Sequence, residues 1–254
     1  MAATPGTLRR QLDQATRERL AALAPRIAPG VLASERVVPV HPALEGLLPQ
    51  GLVRGSTLVC TGSAASSLAV LSAVGATQAG AWVGVAGLPT FGVAAWREAG
   101  GVLERVVVVR QPDAHRAAPG PDTGDRWGAV LAALVDGFEV VIFGAAAQVS
   151  AATARRLQAR LQARGGVLVL VGAAGSFSTD GRLGAEVGWH GLGLGHGSLR
   201  ARRLVCSFEG RRAARPRRDT LWFPNVAGRV ERVLVDQSAR AQAPHSSLPL
   251  SRTG

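Results

Sequence analysis

Five short apolar runs constrain this chain more than anything else in it: STLVCT (56–61), AWVGVAG (81–87), ERVVVV (104–109), FEVVIF (138–143) and GVLVLVG (166–172). Their apolar residues follow one another without the in–out alternation of a strand wetted on one face. Strands buried on both faces have this pattern, and they belong to parallel sheets. Helix-like stretches separate them at 66–79, 91–99, 126–136 and 150–164. In the last, Ser150 is placed to cap the helix, Leu157 and Leu161 share one face, and Gly165 marks the stop. Strands alternating with helices predict an α/β fold, an open parallel sheet joined by right-handed crossovers. The pattern changes near residue 180. Segments 185–193, 199–209, 218–224 and 229–236 read as short strands joined by Gly- and Arg-rich turns, an antiparallel extension of the sheet. Trp222 and Phe223 are expected to pack inward.

Two terminal segments flank this core. Residues 1–35 read as an N-terminal helix and linker. Leu8, Leu12, Ala15, Leu20 and Leu23 approximate one apolar face over 7–23, and Pro25, Pro29 and Gly30 end it. Residues 36–236 form the core unit, and 237–254 are polar and small, a composition expected to be disordered alone. Hydrophobic residues make up 47% of the chain, enough for a real core. No apolar run approaches the roughly 18–20 residues of a membrane span. The first residues lack an apolar signal-peptide core. A cytoplasmic location without membrane contact is the expectation. Cys60 and Cys206 sit in apolar stretches, which predicts buried thiols in strands rather than a disulfide.

The basic residues are all arginine. The chain carries 29 Lys+Arg, every one of them Arg, and a net charge of +12. Most of the excess lies after residue 150. Any mechanism that needs a lysine is thereby excluded.

That exclusion matters at the first strand, which runs STLVC into TGSAASSLAVLSAV. Strand, glycine turn, small polar residues and helix form the layout of a phosphate-binding loop. The working version, G-x-x-x-x-G-K-[ST], uses its lysine on the β/γ-phosphates and its hydroxyl on Mg²⁺. Gly62 can serve as the first glycine, and Ser66 and Ser67 fall where the hydroxyls would. The second glycine and the lysine are missing, and the loop is about two residues short. The second strand ends in VAGLPT without a carboxylate to activate water. Gly144 stands where EVVIFGAAA would need a metal-binding acid, and VLVLVGAAG offers no polar sensor. Phosphoryl transfer needs a charge clamp, a metal ligand and a base, and none of the three is visible. These residues read as a vestigial nucleotide site or as an ordinary strand-to-helix turn. No catalytic residue and no cofactor are expected.

The order of segments resembles a known core. LEGLLPQGLVRGSTLVCTG (44–62), GVAAWREAGGVLERVVVVRQPD (92–113), RWGAVLAALVDGFEVVIFG (126–144) and ARRLQARLQARGGVLVLVG (154–172) follow the order of a RecA-like domain. WHGLGLGHGSLRARRLVCSFEGRRAARPRRDTLWFP (189–224) resembles the C-terminal block of the RecA-like accessory protein of the actinobacterial mutasome, the ImuA-prime family. The resemblance covers roughly 36–236. It implies a RecA-like parallel sheet with flanking helices and a C-terminal antiparallel extension. It also implies a non-catalytic scaffold in SOS-induced translesion DNA synthesis, near the nucleoid. The implied partners are an ImuB-like inactive Y-family polymerase homologue, an error-prone DNA polymerase reached through it, and RecA and DNA. RecA-type domains dock through an N-terminal helix, so Leu8, Leu12 and Leu20 become candidate docking residues.

Arg200, Arg202, Arg203, Arg211, Arg212, Arg215, Arg217 and Arg218 crowd nineteen positions. So dense a block attracts polyanions and makes these arginines candidate contacts for DNA or an acidic partner face. It keeps a DNA-binding module open as an alternative function, beside a SulA-like inhibitor of cell division and a divergent nucleotide hydrolase. Arg156, Arg160 and Arg164 form a further stripe at helical spacing, which reads first as a wet face. GLGLGHG (191–197) fails the dinucleotide-binding spacing at His196 and reads as a flexible hairpin tip. His190 and His196 lack ligand-type neighbours, so no metal site is expected.

Overall fold

A computed structural model describes residues 37–110, 123–144, 146–193, 196–211, 213 and 215–233. The helix expected at 7–23 with Leu8, Leu12 and Leu20, the tail 237–254 and Arg212 lie outside the described residues.

Every expected strand–helix unit is present. The strands of the first half are β1 (Val37–Val38), β2 (Leu52–Val53), β3 (Thr57–Thr61), β4 (Val83–Ala86), β5 (Val106–Val109), β6 (Val140–Phe143) and β7 (Val167–Val171). The helices are α1 (Ala65–Gln78), α2 (Val93–Glu98), α3 (Thr123–Gly137) and α4 (Ala151–Arg164). β8 (Gly181–Gly193), β9 (His196–Gly210), β10 (Arg217–Trp222) and β11 (Glu231–Arg232) follow. Among the described residues, nine strands form one sheet in the order β11-β10-β9-β8-β3-β7-β6-β4-β5, and β1 and β2 form a separate antiparallel pair. The sheet is parallel from β5 to β8 and antiparallel from β8 to β11. This is the α/β architecture expected from the apolar runs, with its antiparallel extension.

Burial explains why those runs do not alternate. Leu58 and Cys60 of β3 face one core with α1, while Val59 faces a second core with α3 and α4. A strand between two apolar layers has no wet face on which to place polar residues. The second core is keyed by Trp127 of α3, whose ring meets Phe143 edge-on at 5.4 Å. Its Nε1 donates to Gln148 Oε1 at 2.8 Å, so the indole is buried with its polar atom satisfied. α4 begins and ends as the sequence predicts. Ser150 Oγ accepts from the Thr153 N–H at 3.2 Å, and Gly165 takes φ +68.

Two expectations change in the extension. The segments read as short strands, 185–193 and 199–209, are instead β8 and β9, 13 and 15 residues long, paired as one hairpin. Several glycines in this stretch, Gly181, Gly184 and Gly188 among them, lie within β8 rather than in turns. Gly181 lies under the Phe208 ring, where a Cβ would come within 2.7 Å of Cε2. The ladder also runs through most of 191–197, pairing Leu192 with Gly197 and Gly193 with His196. The second correction concerns Trp222. Phe223 is buried on the α1 side, but strand alternation turns Trp222 to the opposite face. There it is half-buried and meets His190 edge-on at 4.9 Å.

Candidate functional site

Ligands of open α/β sheets sit at the carboxyl ends of the strands. In this protein a row of glycines occupies that edge. Neighbouring strands β3, β7, β6 and β4 are followed by Gly62, Gly172, Gly144 and Gly87. The chain leaves each strand with no side chain to offer a ligand.

Gly144 is held as a glycine by its surroundings. Its N–H donates to Ala86 O at 3.1 Å, which extends the β6–β4 ladder by one bond. A Cβ there would stand 2.4 Å from Gly87 O and 3.1 Å from Leu88 Cδ1. The position of the missing acid therefore has no room for any side chain. Gly62 turns at φ +84, with a built Cβ only 3.0 Å from Ala185 O of β8. The turn after β3 is pressed against the antiparallel extension.

An arginine reaches the helix that starts there. Arg202 of β9 donates from Nη2 to Ser67 Oγ at 2.6 Å, and from Nε to Phe223 O at 2.7 Å. Its guanidinium also lies 5.6 Å from the Trp189 ring centre and 5.3 Å from that of Phe223. Burial lowers its pKa from the ordinary arginine value. Ser66 and Ser67 sit in the first turn of α1 as expected, but Ser67 is engaged by a residue 135 positions away. Local sequence carries no signal for that pairing.

The residues at this edge do not fit a magnesium nucleotide. The chain has no lysine to clamp phosphate, the acid position is a glycine without space, and the placed hydroxyl is bound to Arg202. A metal-bound triphosphate needs all three contributions.

The seven described arginines of the C-terminal block do not form one patch. Arg202 and Arg217 turn to the α1 side, where Arg217 Nη1 donates to Leu47 O at 2.9 Å. Arg203 and Arg218 are exposed on the opposite face, Arg200 is exposed on β9, and Arg211 and Arg215 are exposed in the turn before β10. Register places Arg182, Glu186 and Glu209 on the same face as Arg203 and Arg218, so that face carries charges of both signs. Of the stripe on α4, Arg160 is ion-paired with Asp136 of α3, and Arg164 lies 3.6 Å from the same carboxylate. Exposed pairs of this kind contribute at most about 1 kcal/mol.

Other chemistry is sparse. Among the described residues no group of three His, Cys, Asp or Glu could hold a metal ion. No helix among them is long and apolar enough to cross a membrane. Cys60 and Cys206 are free, buried thiols in β3 and β9, as expected. Burial pushes both pKa values up from the ordinary thiol range to about 12. The folded state thus holds its thiol protons more tightly than the unfolded chain. Stability present below about pH 9 should decline as the pH rises toward about 12. A thiol reagent should leave both cysteines unmodified in the native protein at pH 8 and modify both after denaturation. Rapid native labelling would contradict this.

Comparison with known proteins places the chain. A family model described as the MT3502 N-terminal domain matches residues 46–176, just over half of the chain, from before β2 to beyond β7. The Mycobacterium tuberculosis protein Rv3395c is 30% identical over 197 residues, covering 77% of this chain and 78% of that protein. The glycine-ended edge of the sheet thus lies within the shared segment, and this chain belongs to the family of the MT3502 N-terminal domain.

Proposed function

We propose that this chain is a non-catalytic RecA-like accessory protein of the ImuA-prime type, acting as a scaffold in damage-induced translesion DNA synthesis. It would link an ImuB-like inactive polymerase homologue to an error-prone polymerase. One observation carries the non-catalytic part. The strand end that needs a metal-binding acid is Gly144, pressed against Gly87 O so closely that no acid fits. A fold retained without room for its chemistry is well suited to presenting surfaces. The partners rest on the resemblance of 189–224 and on the order of the core segments. A place in the nucleoid would follow from those partners.

The test joins biochemistry and capture. Full-length tagged protein, purified from cells treated with a DNA-crosslinking agent, should carry the inactive polymerase homologue by mass spectrometry, and purified protein should show no ATP turnover above a blank. Turnover abolished by Ser66→Ala or Ser67→Ala would establish a divergent hydrolase instead. Capture of neither polymerase, with induced mutation frequency unchanged on deletion of the gene, would remove the scaffold reading.

A further inference from the structure

At the opposite end of β3 from the glycine row, a cleft of about 460 Å³ opens between the β2–β3 turn, the end of β9 and the start of β10. That volume suits a small ligand. Its apolar walls include Leu52, Leu58 and Phe208, and its polar lining holds Arg54, Arg217 and Asp180. Both guanidinium groups are anchored by a single bond to a backbone carbonyl. Arg54 Nη1 donates to Gly165 O at 3.4 Å, and Arg217 Nη1 donates to Leu47 O at 2.9 Å. Neither belongs to an ion pair among the described residues. The Nε of Arg54 is buried with no acceptor at all. Asp180, whose Oδ2 accepts the Thr57 N–H at 2.9 Å, forms no ion pair with either arginine, and the lining keeps two guanidinium groups against this one carboxylate.

We propose that this cleft binds a small organic anion, a carboxylate or phosphate carried on an apolar body. Apart from the single Nη1 bonds, the guanidinium N–H groups of Arg54 and Arg217 have no protein acceptor among the described residues, and an anionic oxygen is the strongest partner for such donors. The anchoring bonds to Gly165 O and Leu47 O fix the two side chains in advance, so little ordering entropy is lost on binding. Phe208, the partly exposed member of these walls, takes the apolar part of the ligand. This site is separate from the glycine row, and it stands or falls independently of the scaffold reading.

The experiment follows the Arg54 Nε–Hε NMR signal of the full chain, assigned through its loss in Arg54→Lys, during titration with benzoate, phenyl phosphate and neutral benzyl alcohol. The expected result is a saturable shift with benzoate or phenyl phosphate and none with benzyl alcohol; the anion that acts identifies the headgroup. Arg217→Gln should weaken that binding roughly tenfold, the loss of one charge-assisted hydrogen bond. No saturable shift with either anion, or an equal shift with benzyl alcohol, would overturn the proposal. The wild-type titration decides it even if Arg217→Gln does not fold.

Discussion

Gly144→Asp, which returns a carboxylate to the end of β6, is expected to destabilise the protein by about 3 kcal/mol without creating a magnesium site. The cost arises from the Cβ itself. It would sit 2.4 Å from Gly87 O, an atom of the backbone that follows β4. β4 lies between β5 and β6 in the sheet, with Val85 and Ala86 buried in opposite cores, so it cannot move aside. Relief would have to come from the bond between the Gly144 N–H and Ala86 O. Gly144→Ala should therefore cost nearly as much as Gly144→Asp, which separates steric cost from charge. Urea unfolding midpoints measure both, and calorimetric titration of Gly144→Asp with Mg-ATP should show no binding heat. An unchanged midpoint, or saturable binding of the nucleotide, would mean that the strand end still has space for a working site.

Trp96→Ala should have a larger effect, about 4 kcal/mol. α2 has six residues, too few to be stable by its own hydrogen bonds. Trp96 is its one buried residue, 0% exposed and the largest of the fully buried side chains. The indole is enclosed by Phe91 at 5.6 Å between ring centres and by the Gly101 backbone, where a Cβ would come within 2.2 Å of Nε1. Truncation to alanine leaves a cavity under α2 and removes what holds the helix to the sheet. The indole Nε1 is buried without an acceptor, so the native residue already carries a polar penalty. Trp96→Phe keeps most of the apolar contact and removes that donor, and should cost only about 1–2 kcal/mol. Denaturant unfolding of the two variants gives the comparison. Equal losses would show that the indole nitrogen has a partner after all.

Much of the first half was legible in the chain because its strands lie between two apolar layers. Double burial demands unbroken apolar runs, so STLVCT, FEVVIF and GVLVLVG announce β3, β6 and β7 directly. Local hydrogen bonding made α4 equally readable, since a serine cap and a stop glycine act within a few residues of the helix they bound. The extension was less legible. Its glycines read as turns, yet Gly181 serves to seat Phe208 from the neighbouring strand. Trp222 and Phe223 read as a pair, yet strand alternation sends them to opposite faces. The arginine block read as one patch, but the pleat divides its described members between two faces and a turn.

The same division holds at the candidate site. Sequence by itself determined that no lysine could serve a phosphate and that the strand ends were glycine, because composition and residue identity need no fold. Only the tertiary structure decided that Gly144 has no space for a side chain and that Arg202 binds Ser67. It alone decided that Arg54 and Arg217 line one cleft. Those facts depend on which strands are neighbours across gaps of tens to hundreds of residues, and side-chain period within a segment carries no information about such pairings.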